Sequence, residues 1–454
     1  MPFSITYSSS NNDQLLRSIA GAYFKQQRLS KDLSLIEASK ALHLNKGFLS
    51  DLEHGNRHFP EGIINQLNSY YSCNFDESLS LREDAEKMLT SAYTFLFQKQ
   101  RTEETNILSE AVSSKKESSY AFLTYTILKL FYHIRVSNDT NALTEYKLLL
   151  DRYCYALSDY EKSVYYSLLA LFYKRDISKA KTAHECLILS YSYCSNNSIV
   201  FAMNAFQEIA ILGEMNQPAL ALLACQKVKS ILREKSNYKR LSDIDLFESN
   251  CLILLGEQEE AQKKLKSILE LGNNALSSNT FSTIQSLSFS YILSQKYEEC
   301  IQTIEPVLDK LPEDTQWFLP FCLYHLQRFS ECIASINTSI KYSTEQNTHF
   351  LLAIQYRIAD DASNFIHECK QYYSSILSQS EYDNIPVILH FLLDFAKEKN
   401  NPSLQLKIYA DLNQYYEKTL TFERSELLQE LTSFLLPVQD ILSHIPHTEY
   451  IHSD

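Results

Sequence analysis

Glycine is the residue this sequence most lacks. It occurs seven times in 454 positions, and four of those (Gly21, Gly47, Gly55, Gly62) fall within the first 62. Proline is nearly as scarce, at ten. Tight β-turns and hairpins draw heavily on both residues, so an all-β fold or a sheet-rich enzyme is excluded. Cysteine is present ten times but never as a CxxC pair, which removes the usual zinc and disulfide-scaffold spacings. Apolar settings at Cys251, Cys300 and Cys332 predict small buried thiols in a reducing compartment. The longest apolar runs, such as 168–173 and 219–225, stop near seven residues, far short of the roughly 20 that span a bilayer. No basic segment followed by an apolar stretch opens the chain, so no secretory signal is expected. Together these absences predict a cytoplasmic protein with no membrane contact.

Catalytic signatures are missing too. No phosphate-binding glycine loop, GxSxG or HExxH is found. His54 and His58 are four apart, but Gly55 interrupts the helix between them. His444, His447 and His452 form a loose cluster in the tail. Neither group completes a metal-ligand set. The expectation is a protein that is not an enzyme and holds no cofactor and no metal.

Charge divides the chain. The net charge is −13. Residues 1–75 hold seven basic and six acidic side chains, so the remainder carries a charge of −14. An acidic body repels polyanions, and any nucleic-acid contact should come from the front.

From about residue 80 onward apolar residues recur at helical spacing. The stretch 284–312 shows a unit: Ile284, Leu287, Ser288 and Tyr291, a polar break at 294–296, then Tyr297, Cys300, Ile304, Val307 and Pro312. Small Ser288 and Cys300 let two helices approach closely, and Pro312 blocks continuation of the second. This unit resembles the tetratricopeptide repeat. A small residue at the start of the second helix recurs as Ala142, Ala180, Ala221, Ala261, Cys300, Cys332 and Ala362. With weaker units at 81–114 and 386–420, about nine helix pairs are expected. The alternative is an irregular all-α domain. The resemblance implies an all-α, right-handed TPR-like superhelix whose first helices line a concave groove. By position in the repeat, the groove-facing candidates for peptide binding are Tyr165, Gln207, Asn250, Gln285, Phe289, Trp317, Phe321, Tyr324, His325 and Gln355. Amides suit a peptide backbone and aromatics suit its side chains. Each could instead pack between repeats.

The front carries the most informative segment, residues 33–57. Ser34 can cap a short helix reaching about Leu42, and a turn follows at His43-Leu44. Asn45 can cap a second helix with Phe48, Leu49 and Leu52 on its apolar face, and Gly55 can end it. Leu15, Ile19 and Tyr23 before it, and Ile63, Ile64 and Leu67 after it, can close a small core. Leu33, Ser34, Glu37, Lys40, Leu42, Leu44, Leu49, Ser50, Leu52, Glu53, Gly55 and Pro60 resemble the lambda-repressor/Cro-like (XRE) helix-turn-helix domain over about 13–75. In that family the second helix enters the major groove by its N-terminal end. The resemblance implies base-facing roles for Lys46, Gly47 and Asp51, contacts to phosphate or thymine methyl from Asn45, Phe48 and Ser50, and a backbone contact from Arg57. Three positions depart from the pattern. Leu35 stands where Gln is frequent, Gly47 has no side chain to read a base, and His43 replaces the turn glycine, which predicts a positive φ there.

A helix-turn-helix head (1–75), a TPR-like body (76–436) and a tail (437–454) together resemble the Rgg/PlcR-type (RRNPP) peptide-responsive transcription regulators. That resemblance implies a homodimer on a pseudo-palindromic double-stranded DNA operator, switched by a short signalling peptide in the repeat groove. A repressor with a protein partner on its repeats, and a TPR scaffold that sequesters a partner without touching DNA, remain as alternatives.

Overall fold

A computed structural model describes residues 9–419, apart from 115–117, 196–197, 272–277, 311 and 380–383, together with 427 and 429. The tail at 437–454, with its three histidines, lies outside the described residues. Among the described residues there are 22 α-helices and no strand, only an isolated bridge between Asp76 and Ser119. The fold is all-α, as the scarcity of glycine and proline requires. It divides into two compact units, Met1–Glu208 and Ile209–Asp454.

The first unit opens with α1 (Ser9–Leu29), α2 (Leu35–Ala41), α3 (Lys46–Glu53) and α4 (Ile63–Tyr71). Local chemistry sets each start and stop. Ser34 and Glu37 form a reciprocal capping box at α2, with Ser34 Oγ accepting from the Glu37 amide at 3.2 Å and the Glu37 carboxylate accepting from the Ser34 amide at 2.8 Å. His43 adopts φ +54, the left-handed turn its position predicts. Asn45 Oδ1 accepts from the Gly47 amide at 2.8 Å and starts α3. Gly55, at φ +68, ends it, and a Cβ there would lie 2.5 Å from Ser18 Cα. Gly21 is needed for a different reason: α1 and α3 touch so closely that a Cβ on it would lie 2.2 Å from the Leu52 carbonyl oxygen. Ile19, Phe24, Leu42, Leu49, Leu52 and Leu67 fill the core between them.

Next come α5 (Leu79–Gln98), α6 (Arg101–Ser113), α7 (Phe122–Tyr132), α8 (Thr140–Arg152), α9 (Asp159–Tyr173) and α10 (Ala180–Tyr193). A buried carboxylate ties three of them together. Glu161 on α9 accepts from Thr124 of α7 at 2.5 Å and from Arg82 of α5 at 3.3 Å, and it closes its own capping box with Ser158. Burial pushes its pKa up, but the Arg82 charge and the Thr124 and Ser158 hydrogen bonds outweigh that and hold it below the usual carboxylate value. The head packs on these helices. Tyr23 meets Phe75 and Phe122 ring to ring, and Tyr153 donates to the Gln26 side chain at 2.9 Å.

Helix α11 (Ile199–Glu214) crosses the boundary between the units. The second unit continues with α12 (Pro218–Glu234), α13 (Tyr238–Leu254), α14 (Gln258–Leu271), α15 (Ser278–Leu293), α16 (Tyr297–Ile304), α17 (Phe318–His325), α18 (Phe329–Ser339), α19 (Glu345–Ile358), α20 (Ala362–Gln379), α21 (Ile385–Glu398) and α22 (Pro402–Thr419). From α5 on, the described helices make nine successive pairs. Ala180, Ala221, Ala261, Cys300 and Cys332 are buried at the starts of their helices. Ala142 and Ala362 are only half-buried. Leu143 and Phe365 occupy the buried position in those two helices, so the small-residue rule slips by one position in α8 and three in α20.

Eight of the nine turns inside the pairs, all but that between α9 and α10, share a device that glycine would normally supply. Lys99, Asn138, Asn216, Gln295, Gln327, Asp360 and Asn400 all hold φ between +46 and +58, and only Gly256 fills the role in its conventional form. In all of them but the turn at Asn138, where the Asp139 amide donates to Ser137 Oγ, the amide that follows the left-handed residue reaches back to a carbonyl in the preceding helix, as from Lys296 to Tyr291 at 2.8 Å and from Arg328 to Leu323 at 2.9 Å. This caps the helix C-terminus in the Schellman manner. Non-glycine residues in this region cost about 1–2 kcal/mol, which repeat packing must offset.

Two outcomes follow. Gln295→Gly and Gln327→Gly should each raise the thermal midpoint by about 2 °C, since about 1 kcal/mol of backbone strain is relieved; a lowered midpoint contradicts the strain. Gly21→Ala drives a methyl into the α3 backbone, so it should destabilise the head by about 1–3 kcal/mol. Hydrogen exchange of the α1 and α3 amides measures this, and wild-type protection would contradict the close approach.

Candidate functional site

In the first unit, the N-terminal end of α3 faces solvent. Asn45, Lys46 and Gly47 are exposed, while Phe48, Ser50 and Asp51 are half-buried. The opposite end is fixed. Arg28 donates to both oxygens of Glu53, at 2.6 and 2.9 Å, and to the Leu33 carbonyl at 2.7 Å. The Glu53 carbonyl accepts from Tyr155 at 3.0 Å, and His54 bonds Ser50 O at 2.8 Å and Lys25 Nζ at 3.1 Å. Fixed anchors at one end leave the other end rigid and open. Free amides at a helix N-terminus, with the helix dipole behind them, attract anionic oxygens. Arg57 lies 3.9 Å from Asp51 and its guanidinium covers the Phe48 ring at 5.1 Å. Both charged groups are about half exposed, so this pair contributes about 1 kcal/mol or less and exchanges readily for another partner.

The second unit holds a cavity of about 370 Å³. Phe289, Tyr297, Phe321, His325 and Phe391 line its apolar side, with His390, Asp394 and Tyr416 among its polar groups. His325 is stacked on Tyr297, with ring centroids 4.6 Å apart and planes 8° from parallel, and meets Phe321 edge-on at 4.5 Å. Its Nε2 is buried without a hydrogen-bond partner. Burial lowers its pKa to about 4, so the ring is neutral at pH 7. The same burial raises Tyr297 to about 12. Asp394 lines the cavity too, the residue being exposed as a whole while partial burial of its carboxyl raises its pKa. The result is an aromatic pocket lined by one unpaired ring nitrogen and one carboxylate.

Of the ten groove candidates, Phe289, Phe321 and His325 line this cavity. Tyr324 is half-buried beside it and packs edge-on against Phe391. The others do something else. Trp317 precedes α17 rather than lying on its inner face, so it is fully buried among Phe318, Phe321 and Phe350. Tyr165 and Gln207 lie in the first unit, fully buried, where Tyr165 donates to Asp151 at 2.6 Å and Gln207 to Ser167 Oγ at 3.0 Å. Gln285 donates to Asp314 at 3.4 Å. Asn250 is half-buried with its Oδ1 unpaired, and Gln355 is half-buried. Position within a repeat thus does not separate residues that pack from those that line a void. The sequence reading missed Tyr297, His390, Phe391, Asp394 and Tyr416. A signal exists on α21, where ten residues are buried around the whole helix. A helix apolar on every side belongs in a core, so His390 and Asp394, one turn apart on it, stand out.

His325 should show no imidazole shift by NMR between pH 5.5 and 8. Its folded pKa lies below the usual 6.5, so its contribution to stability is complete above about pH 6.5 and is lost as the pH falls toward 4. His325→Gln should therefore flatten the fall in melting temperature between pH 6.5 and 4.5. A titration midpoint near 6.5 would contradict the burial.

No protein-family model matches the chain, and no curated protein matches it either. Among solved structures, the crystal structure of the apo form of RapI is similar in fold, with a TM-score of 0.53 and 15% sequence identity, covering 77% of this chain and 98% of that one. The likeness is one of architecture: this chain has an all-α, TPR-like fold of paired helices.

Proposed function

We propose that the protein is a DNA-binding transcription regulator of the cytoplasm that acts by binding rather than catalysis, and that its TPR-like repeats take a short signalling peptide. One observation carries the reading. The chain presents an exposed helix N-terminus, Asn45 to Gly47, on a frame whose own polar groups are spent on holding it still. That is what insertion into a major groove demands. Lys46 donates to guanine, Asp51 and Arg57 exchange their mutual pair for base and phosphate, and Asn45 and Ser50 meet the backbone. A head with a net charge of +1 binds one half-site weakly. Two heads on a homodimer, reading half-sites one helical turn (about 34 Å) or a multiple apart, supply the missing affinity.

The aromatic cavity supports the peptide part. It is large enough for one or two apolar side chains, and His325 Nε2 offers one directional contact. A peptide alters DNA binding only through its difference in affinity for the two states of the regulator. The second reading, a scaffold that never binds DNA, draws support from the Asp51–Arg57 pair, which engages two of the seven expected contacts with each other.

Selection from a random duplex pool separates the readings. The full chain should enrich a palindromic site, and Lys46→Ala should weaken it about 10-fold, the cost of one good base contact. A pool with no enrichment would sink the regulator and leave the scaffold. Calorimetry against a random heptapeptide library should find ligands that Phe321→Ala no longer binds.

A further inference from the structure

Three arginines converge in the first unit, against the charge of the whole chain. Arg101 opens α6, Arg135 lies in a π-helical turn (His133–Ser137) that follows α7, and Arg175 follows α9. With Asn138, Thr140, Leu143 and Phe172 they line an open cleft of about 510 Å³. The π-helical turn points backbone carbonyls toward the guanidiniums: Arg175 donates to Ile134 O and Arg101 to Arg135 O. Arg175 also donates to Asn138 Oδ1 at 2.9 Å. Arg135 is held bidentately by Glu104, at 2.6 and 3.2 Å.

The charge does not close. Glu104 is the one carboxylate bonded to the three arginines among the described residues, and it is fully buried beneath Arg135. Asp139 caps α8 instead, and Asp176 is taken by Ser178 and Lys179. Counting direct partners, three guanidiniums share one carboxylate, an excess of two positive charges. The bonds named above engage about a third of the N–H groups that three guanidiniums carry. Burial and the neighbouring Arg135 and Arg101 charges lower the Arg175 pKa, as expected where like charges are held together.

We infer that this cleft is a binding site for a doubly charged phosphate-type oxyanion, either inorganic phosphate or the phosphoryl group of a small monoester. Planar guanidinium forks match such oxygens two at a time, and a dianion balances the excess charge where a single carboxylate would not. The site is separate from the head. Phe122, at one end of α7, touches Tyr23 of the head, while Arg135 lies beyond the other end. Eleven helical residues at 1.5 Å each place about 16 Å between them.

Calorimetry on the full chain tests this with inorganic phosphate, glycerol 2-phosphate and succinate. Saturable phosphate binding is expected, weakened at least 10-fold in Arg101→Gln and Arg175→Gln, with the melting temperature within a few degrees of wild type, because each variant loses only one or two hydrogen bonds. Equal binding of both phosphates assigns the free ion, and preference for glycerol 2-phosphate assigns a phosphorylated metabolite. The inference is overturned if neither phosphate binds saturably, if the variants bind like the wild type, or if succinate binds as tightly as phosphate. It is also overturned if the two variants lose duplex binding in parallel, which would make the cluster a contact to the DNA backbone.

Discussion

The buried pair of Arg28 and Glu53 is the constraint on which the head depends. Arg28 belongs to α1 and Glu53 to the last turn of α3, and both are more than nine-tenths buried. Two charges taken out of water cost several kcal/mol unless each finds good partners, and removing one leaves the other stranded at a cost of about 3–5 kcal/mol. Here the guanidinium meets both carboxylate oxygens and the Leu33 carbonyl. Such a pair tolerates little displacement. It fixes the angle of α3 against α1, while Gly21 lets the two backbones approach and Gly55 turns the chain away. Because the Glu53 carbonyl also accepts from Tyr155, the same few atoms couple the head to the repeats of its unit.

Polar clamps recur where the repeats meet. Glu161, with Arg82 and Thr124, ties three helices by one carboxylate, and Glu248 receives Lys229 and Lys264 from the helices on either side of it in the second unit. A stack of helix pairs buries each face only against its neighbours. Apolar contact alone would permit sliding, whereas a buried ion pair has one good geometry. The arginine cleft goes further, because there three guanidiniums share one carboxylate and donors are left over.

Much of the fold was legible. The 3.6-residue period, the small residues from Ala180 to Cys332 and the caps at Ser34 and Asn45 are local signals, and the structure contains paired helices and the α2–turn–α3 segment they implied. The left-handed turns were harder to see. Without glycine, nothing at Gln295 or Gln327 announces a positive φ; the conformation follows from the requirement to cap one helix and start the next.

What the sequence determined alone was whatever depends on neighbours within a few residues: helix starts and stops, the apolar face of α3, the paired-helix repeat. The tertiary structure decided which of the groove candidates line a void and which pack. Trp317 and Phe321 sit four residues apart with similar character, yet one is wedged among rings in the core and the other lines the cavity. That difference comes from α21, nearly 70 positions further along the chain, whose Phe391 meets Phe321 and whose His390 and Asp394 complete the pocket. Contacts between residues so far apart have no local signature, so only the packed chain could reveal them.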